Sequence, residues 1–594
     1  MFLTRKRNHR SNINLSHVSP TTLAPGNLIP ISHARVFAGD VLRFSPSTFV
    51  QAFPMKAPLV NGFKLCLEYF FIPDRLYNFD LLVDNSGVTD QPDQVKFPTI
   101  KSPAFSQQSS VSKFEINFAH YHDNWSKDGD CPIVAPGSLA DYMNFPVGLY
   151  PTFQSVGDRN KFNALLVCGY LDIVCKYYAN QQYSVIPSAL WEPTKSDSLG
   201  TSNLAYSLSS LQDCVNMVKK ASDPDQAIAN IISGLSGQYG RYTPFTWDWL
   251  CSRASIFQRC LPPYYLESWL ATSGYEDSEI KVDLEKDGNS ISFRNISAMS
   301  HVQRWLDLAL GGGSRYSDFE DSQFDVSRIR HTSSPVFLGS DRQYLGSRVV
   351  YQTTGFDTPD SPLGSFAGQS SGGDKFRKRT FKFGETGYFM VIASLVPDVV
   401  YLHGLPPTLR EKTLADRYAP ALDNIAMQPL MVEELNALPP VKTAGLGTGD
   451  GSFTFIVDGD PERKNTAVGY VPAWSHLMQI VSRAHGRLAT ELKYWLLTRE
   501  YGTAFTENVQ KMRQAMEQAL VDGSLTYADA EALNAFLVGS LNAYTETFSP
   551  YIRSNAYNSV FADTSDDAQN FVVTFSASMS VNREKAKVNV PNTI

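Results

Sequence analysis

The stretch GFKLCLEYFFIPDRLY, residues 62–77, reads as a β-strand that must leave water on both sides. Phe63, Leu65, Leu67, Tyr69 and Phe71 fall on alternate positions and share one apolar face. The opposite face opens with Lys64, Cys66 and Glu68, then turns apolar at Phe70 and Ile72. Pro73 ends the strand, because proline has no N–H to give to a ladder. Such a strand needs a facing sheet on one side and a second cover over its far end.

The rest of the chain must supply both. At 594 residues it can bury several cores, and length alone suggests roughly three or four domains, although all-β chains with long loops break that rule. Charged residues are 19%, below the roughly 25% of ordinary soluble proteins. Aromatic residues are 12%, a balance that fits extensive subunit interfaces or one large, well-buried enzyme. Arg5, Lys6, Arg7 and Arg10 crowd the first ten residues without an acid, and Arg583, Lys585 and Lys587 outnumber Glu584 at the other end. The net charge of −7 therefore hides a body at −13, and basic ends on an acidic body point to a polyanion or to a solubilising tail. Seven cysteines without CxxC spacing indicate neither a disulfide framework nor a zinc site. No apolar signal region opens the chain, and Pro397 and Asp398 break its most apolar run. These features predict a soluble intracellular product with no membrane span.

Residues 11–60 alternate apolar stretches with Gly and Pro and read as strand, turn, strand. Residues 76–135 are polar and read as a long loop. Residues 160–182 have helical spacing, with Leu166, Tyr170, Ile173, Val174 and Tyr177 on one stripe. Residues 188–310 mix Ser-rich loops with helical pieces and are the candidate for outward projection. Strand character returns at 347–355, 380–397 and 570–581, the last alternating Phe571, Val573, Phe575, Ala577 and Met579. Residues 503–546 read as an αα-hairpin turning at Asp522-Gly523. Strands at both ends with long excursions between them predict one sheet structure closed by the first and last segments.

Catalytic motifs are weak. GQSSG, 368–372, matches a nucleophile elbow around Ser370, but its flanks do not read as strand and helix, so a flexible loop is expected. His120 and His122 with Asp123 have no further ligand signposted, and GLGTGDG, 445–451, has no phosphate-binding register, so both read as loops. In DKFRKRTFKF, 374–383, Lys375, Arg377, Lys378, Arg379 and Lys382 interleave with Phe376, Phe381 and Phe383. That pattern suits phosphates and unpaired bases, or else a strand with a charged outer side.

Several segments, taken in order, resemble the major capsid protein of the microviruses, single-stranded DNA bacteriophages, nearer their gokushovirus-like branch. Phe71, Ile72, Pro73 and Arg75 resemble the family's Phe-aliphatic-Pro-x-Arg segment. PGSLADYMNFPVG (136–148), NALLVCGYLDIVCKYYANQQ (163–182), YQTTG followed by PLGSFAG, and FGETGYFMVIASLVP (383–397) follow. GYVPAWSHLMQIVSRAHGRL with LKYWLLTR completes the series, so the likeness runs from about residue 28 to 501. The 188–245 region and the 503–546 hairpin depart from the pattern.

The resemblance implies an all-β core, an eight-stranded antiparallel viral jelly roll with long, partly helical inserted loops. It divides the chain into a basic arm, 1–27, and one capsid domain, 28–594, with insertions at about 76–135 and 188–310, the hairpin, and a final strand and basic tail at 570–594. The implied function is structural and non-enzymatic: self-assembly into a T=1 icosahedral shell, sixty copies by its symmetry, enclosing circular single-stranded DNA and presenting the surface a host meets. Minor virion or pilot proteins, scaffolding protein and a host receptor are the other implied partners, and the virion, assembled in host cytoplasm, is the expected location. No cofactor, metal or catalytic residue is expected. DNA contacts are assigned to Arg5, Lys6, Arg7, Arg10, Arg583, Lys585 and Lys587, with Lys375, Arg377, Lys378 and Arg379 as a further set. The rival readings are a β-sandwich carbohydrate-active enzyme or lectin, which needs a carboxylate pair across a cleft, and a phage spike module, which needs repeats.

Overall fold

The computed structural model describes residues 10–83, 95–102, 134–147, 161–179, 185–187, 205–239, 243–259, 332–351, 366–401, shorter pieces between 405 and 498, 555–563 and 568–585. Ten strands pair antiparallel in one curled sheet: β1 (Ser11–Asn14), β2 (His17–Leu23), β3 (Ile29–Val36), β4 (Val41–Ala52), β5 (Phe63–Pro73), β6 (Val336–Tyr351), β7 (Phe366–Lys375), β8 (Arg379–Lys382), β9 (Gly387–Pro397) and β10 (Phe571–Arg583). Their order is β1-β10-β4-β7-β6-β5-β9-β3, with β2 also beside β10 and β8 also beside β4. Strand β6 carries the sheet round its bend, pairing with β5 from Val336 to Leu345 and with β7 from Gly346 to Tyr351.

The bend brings the two halves face to face. Phe44 of β4 meets Tyr69 of β5 and Phe389 of β9 edge-on, with ring centroids 5.3 and 5.2 Å apart. Phe63 meets Phe571 in the same way at 4.8 Å. The alternation read in the last strand holds: Phe571, Val573, Phe575, Ala577 and Met579 are all buried. That strand lies along β4 from Phe571 opposite Ala52 to Asn582 opposite Val41, so the last strand is laid on one of the first.

The second face of β5 is covered from within the chain. Helix α1 (Leu165–Ile173), widened into a last turn at Val174–Tyr178, packs on it. Tyr177 sits 5.1 Å from Phe70. Gly169 lets the helix approach, because a Cβ there would lie 2.6 Å from Ile72 Cδ1 and 2.8 Å from Cγ2. The polar start of this face is buried too, at Cys66 and Glu68. Glu68 Oε1 accepts from Arg259 at 2.9 Å, and its Oε2 accepts from the Tyr178 hydroxyl. A carboxylate can leave water when donors replace it.

Helices α2 (Leu208–Lys220), α3 (Pro224–Tyr239) and α4 (Trp247–Cys251) thicken the same side. Leu211, Val215, Val218, Ile228, Ile231 and Trp249 join Phe70, Ile72, Met390 and Ile392 in one apolar cluster, while Phe44, Tyr69, Phe389 and Phe575 belong to the cluster between the sheet halves. Among the described residues no helix is long and apolar enough to cross a membrane.

Several expectations need correcting. Every residue of α1 except Leu166 is buried, so the stripe read there understates a helix covered all round. Residues 76–135 are not all loop: Phe79–Val83 is a short helix, and Thr99–Lys101 pairs with Lys161–Asn163. The strand expected at 347–355 begins at Val336. GQSSG is not a loop but part of β7: a Cβ at Gly368 would lie 2.3 Å from the Ala57 carbonyl, so this glycine marks close backbone approach. Ser370 is buried, donating to the Gly346 carbonyl at 3.0 Å. The part of 188–310 at 208–239 packs into the helical cluster. The 503–546 hairpin, GLGTGDG, and the His120, His122 and Asp123 group lie outside the described residues.

Two measurements probe this packing. Gly169→Ala forces Ile72 aside and is expected to destabilise the chain by about 1–3 kcal/mol, with Ile72→Val recovering part of the loss, read as shifts in Tm. Asp74, just past Pro73, accepts from Arg35 Nη1 at 2.9 Å, but burial outweighs that cation and pushes its carboxyl up to about 6. A carboxyl raised on folding stabilises most below its unfolded value and loses that contribution as pH rises through about 6. Between pH 7 and 5 Asp74 should add about 1 kcal/mol. Urea unfolding of wild type and Asp74→Asn at both pH values checks this, the variant showing the smaller gain.

Candidate nucleic-acid interface

The two sides of the curled sheet differ. Helices cover the outward side of β5 and β9, while the outward side of β4 and β10 carries small polar groups. In β4 the even positions from Leu42 to Ala52 are buried, leaving Val41, Arg43, Ser45, Ser47, Phe49 and Gln51 to face out. Strand pairing sets Ser580, Ser578, Ser576 and Thr574 of β10 beside Arg43, Ser45, Ser47 and Phe49. On the other flank Lys382 stands opposite Val41, and Lys375 opposite Ser47.

The expected DNA contacts fall into three groups. Arg5, Lys6, Arg7 and Lys587 lie outside the described residues. Two others act within the subunit. Arg583 Nε donates to Asp40 Oδ2 at 2.9 Å, its Nη2 to the Arg35 carbonyl at 2.7 Å, and the guanidinium lies 4.6 Å from the Phe37 ring centroid. Arg379 Nε donates to Asp341 Oδ2 at 3.2 Å, and its guanidinium lies 5.5 Å from the Tyr69 ring centroid. Asp341 also accepts from the Tyr69 hydroxyl at 2.7 Å, and burial with this carboxylate raises the phenol's pKa.

Lys375, Arg377 and Lys378 form the third group, with Lys585 and Arg10. All five are exposed, and Arg10 also donates to the Gly39 carbonyl. In DKFRKRTFKF the aromatics face the other way: Phe376 and Phe383 are buried and Phe381 is half-buried. The segment is thus a strand edge with a charged outer side, and its own rings are spent on the core.

Sequence reasoning missed Arg43 and Arg348, both exposed, and Arg348 lies opposite the exposed Gln369 of β7. One signal was available. Strands β1, β2, β4, β8 and β10 contain no Asp or Glu, in a chain with 59 acidic residues. Their outward positions therefore present cations, hydroxyls, amides and a few apolar groups, and no carboxylate. Arg43, Arg348, Lys375, Arg377, Lys378 and Lys382 have no ion-pair partner among the described residues.

Comparison with known proteins sets this surface in context. The family described as capsid protein (F protein) matches residues 3–117 and 171–504. The chain belongs to that family. Capsid protein VP1 of Chlamydia phage 1 is 20% identical over 490 residues, covering 72% of this chain and 77% of that one. VP1 of Bdellovibrio phage phiMH2K is 23% identical over 455 residues, with 72% and 76% covered. VP1 of Spiroplasma virus 4 is 21% identical over 488 residues, with 73% and 78% covered. This is a structural major capsid protein of a microvirus-type phage, and its place is the virion.

In such a capsid protein the internal cations should behave unlike the free ones. Arg583→Gln leaves Asp40 buried without its guanidinium and is expected to destabilise the fold by roughly 3 kcal/mol. Lys375→Gln should change stability by less than about 0.5 kcal/mol. Chemical unfolding of the two variants side by side is the check.

Proposed function

We propose that the capsid protein builds a T=1 icosahedral shell around circular single-stranded DNA, with the outward face of β4 and β10 turned to the genome. The observation that carries this is that strands β1, β2, β4, β8 and β10 hold no acid and turn Arg43 and Lys382 outward, in an otherwise acidic chain, opposite a side thickened by helices. A packaged strand carries a negative phosphate at every nucleotide, so a face that must meet it in any register needs cations and hydroxyls and no carboxylates. In this reading the curled sheet is an eight-stranded jelly roll. Strands β3, β9, β5 and β6 form one half, β7, β4, β10 and β2 the other, and β1 and β8 extend the edges.

Arg10 and Lys585 add charge where strand β1 lies beside the end of β10, and Arg5, Lys6, Arg7 and Lys587 belong to the same proposal as DNA contacts. Residues 28–594 act as one capsid domain with inserted loops. Minor virion proteins, scaffolding protein and a host receptor belong to the same proposal, as does assembly in host cytoplasm.

Replacing Arg43, Lys375, Arg377, Lys378 and Lys382 together with Gln tests the orientation. Subunit stability should hold, since none of the five has an ion-pair partner among the described residues. Packaged DNA per particle should fall, and heat release of the genome should come at lower temperature and depend less on salt. Particles with normal DNA content and the wild-type salt response would place this face elsewhere in the shell.

A further inference from the structure

Phe49 is the anomaly of the genome-side face. It occupies an outward position of β4 among Ser45, Ser47, Gln51 and Thr574, yet it is aromatic and 52% exposed. Its register partner on β7 is Gly373, which has no side chain to cover the ring. A Cβ at 373 would lie 3.4 Å from Phe49 Cδ2, so the ring leans over the bare glycine backbone on that flank. Covering a glycine is a structural role for a strand aromatic, but it uses one edge of the ring and leaves much of the rest in water.

We infer that Phe49 is a stacking platform for an unpaired base of single-stranded DNA. The inference rests on the genome-facing orientation proposed above and adds a specific subsite to it. Stacking on an aromatic ring tolerates any base, because every base has a π-face, and it requires the base to be unpaired. The surroundings suit the rest of a nucleotide. Lys375 stands opposite Ser47, diagonal to Phe49 across the β4–β7 pair and so roughly 7–8 Å away. Ser47 beside it on β4, and Ser576 and Thr574 of β10 on the other flank, offer hydroxyls. Arg43 and Lys382 continue the cationic track along β4, Arg43 lying six residues or roughly 20 Å from Phe49.

Charge selects nucleic acid over protein as the occupant, since no outward position of β4, β8 or β10 holds a carboxylate. A second copy of the chain is the rival, because Val18 on β2 is also exposed on this face, 60%. Oligothymidine 20-mers, abasic strands of the same length and charge, and duplex DNA separate these outcomes in fluorescence-anisotropy titrations of the full chain. Wild type should bind oligothymidine roughly tenfold more tightly than the abasic strand. Phe49→Leu should erase that preference while keeping the salt slope, Phe49→Trp should retain it, and Lys375→Gln should lower the slope. Photocrosslinking of bromodeoxyuridine-substituted strands to wild type should mark the tryptic peptide 44–56, a readout that needs no variant to fold.

Equal binding of oligothymidine and abasic strands by wild type, or an unchanged preference in Phe49→Leu, overturns the stacking inference and leaves the genome-facing orientation standing. Binding that ignores the cation substitutions overturns the orientation as well. A Phe49→Leu chain with normal DNA binding but a changed assembly size on a sizing column gives the face to a second copy of the chain and overturns both.

Discussion

Strand β5 cannot be folded from one side. Phe63, Leu65, Leu67, Tyr69 and Phe71 need the opposing half of the sheet, while Phe70 and Ile72 need a helix on the other face. At roughly 25 cal/mol per Å² of apolar surface removed from water, neither face can be left wet without losing several kcal/mol. The double requirement explains why helical insertions lie against the sheet instead of hanging from it. It also explains the charges trapped between them. Arg259 and Tyr178 must answer Glu68, Lys219 must answer Asp172, and Arg75 Nε must reach Glu385 Oε2 at 2.6 Å, because each group has been drawn out of water by its neighbours' burial.

Covering one side of the sheet so thoroughly leaves the other free for a different task. Along β4 the inward positions are committed to Phe44, Val50 and their neighbours, so the outward positions can be chosen for what they meet. They carry Arg43, two serines, Gln51 and the uncovered Phe49, and no acid. The two faces of a single strand thus answer to two different environments, one dry and one ionic.

Much of this was legible in the sequence because period-2 alternation is a direct image of a half-buried strand. The last strand and β5 were read almost to the residue. The helix after residue 164 was recognised by its stripe, but its full burial was not, since Gly169 and Asp172 off the stripe read as a solvated side although Lys219 lets Asp172 be buried. Strand β7 was hidden by its glycines and serines. Composition reads them as a flexible loop, whereas Gly368 is there because the chain at Ala57 passes against it. The candidate interface was half visible. Basic residues at 375–379 drew attention, but charge alone does not tell Arg379 and Arg583, bound to Asp341 and Asp40, from Lys375 and Arg377, which face solvent. Phe49 escaped notice because Phe376, Phe381 and Phe383 lay closer to the cations in sequence, and only the strand register turned those rings inward and Phe49 out.

The pairing of β10 with β4, β1 and β2 also sets a timetable for synthesis. Strands β1, β2 and β4 leave the ribosome more than five hundred residues before the strand that fills the gap between them. At about 5–20 residues per second, a bacterial or phage product of this length spends tens of seconds with that gap open. During this interval β4 shows bare N–H and C=O groups on one flank, the kind of edge that recruits strands from other nascent chains on the same message. Its outward Arg43 and its Pro46, which has no N–H to give, make poor partners for such an edge, and like charges on neighbouring chains repel. Arg43 and Pro46 thereby help to guard the unfinished chain against its own siblings while the last strand is still being made.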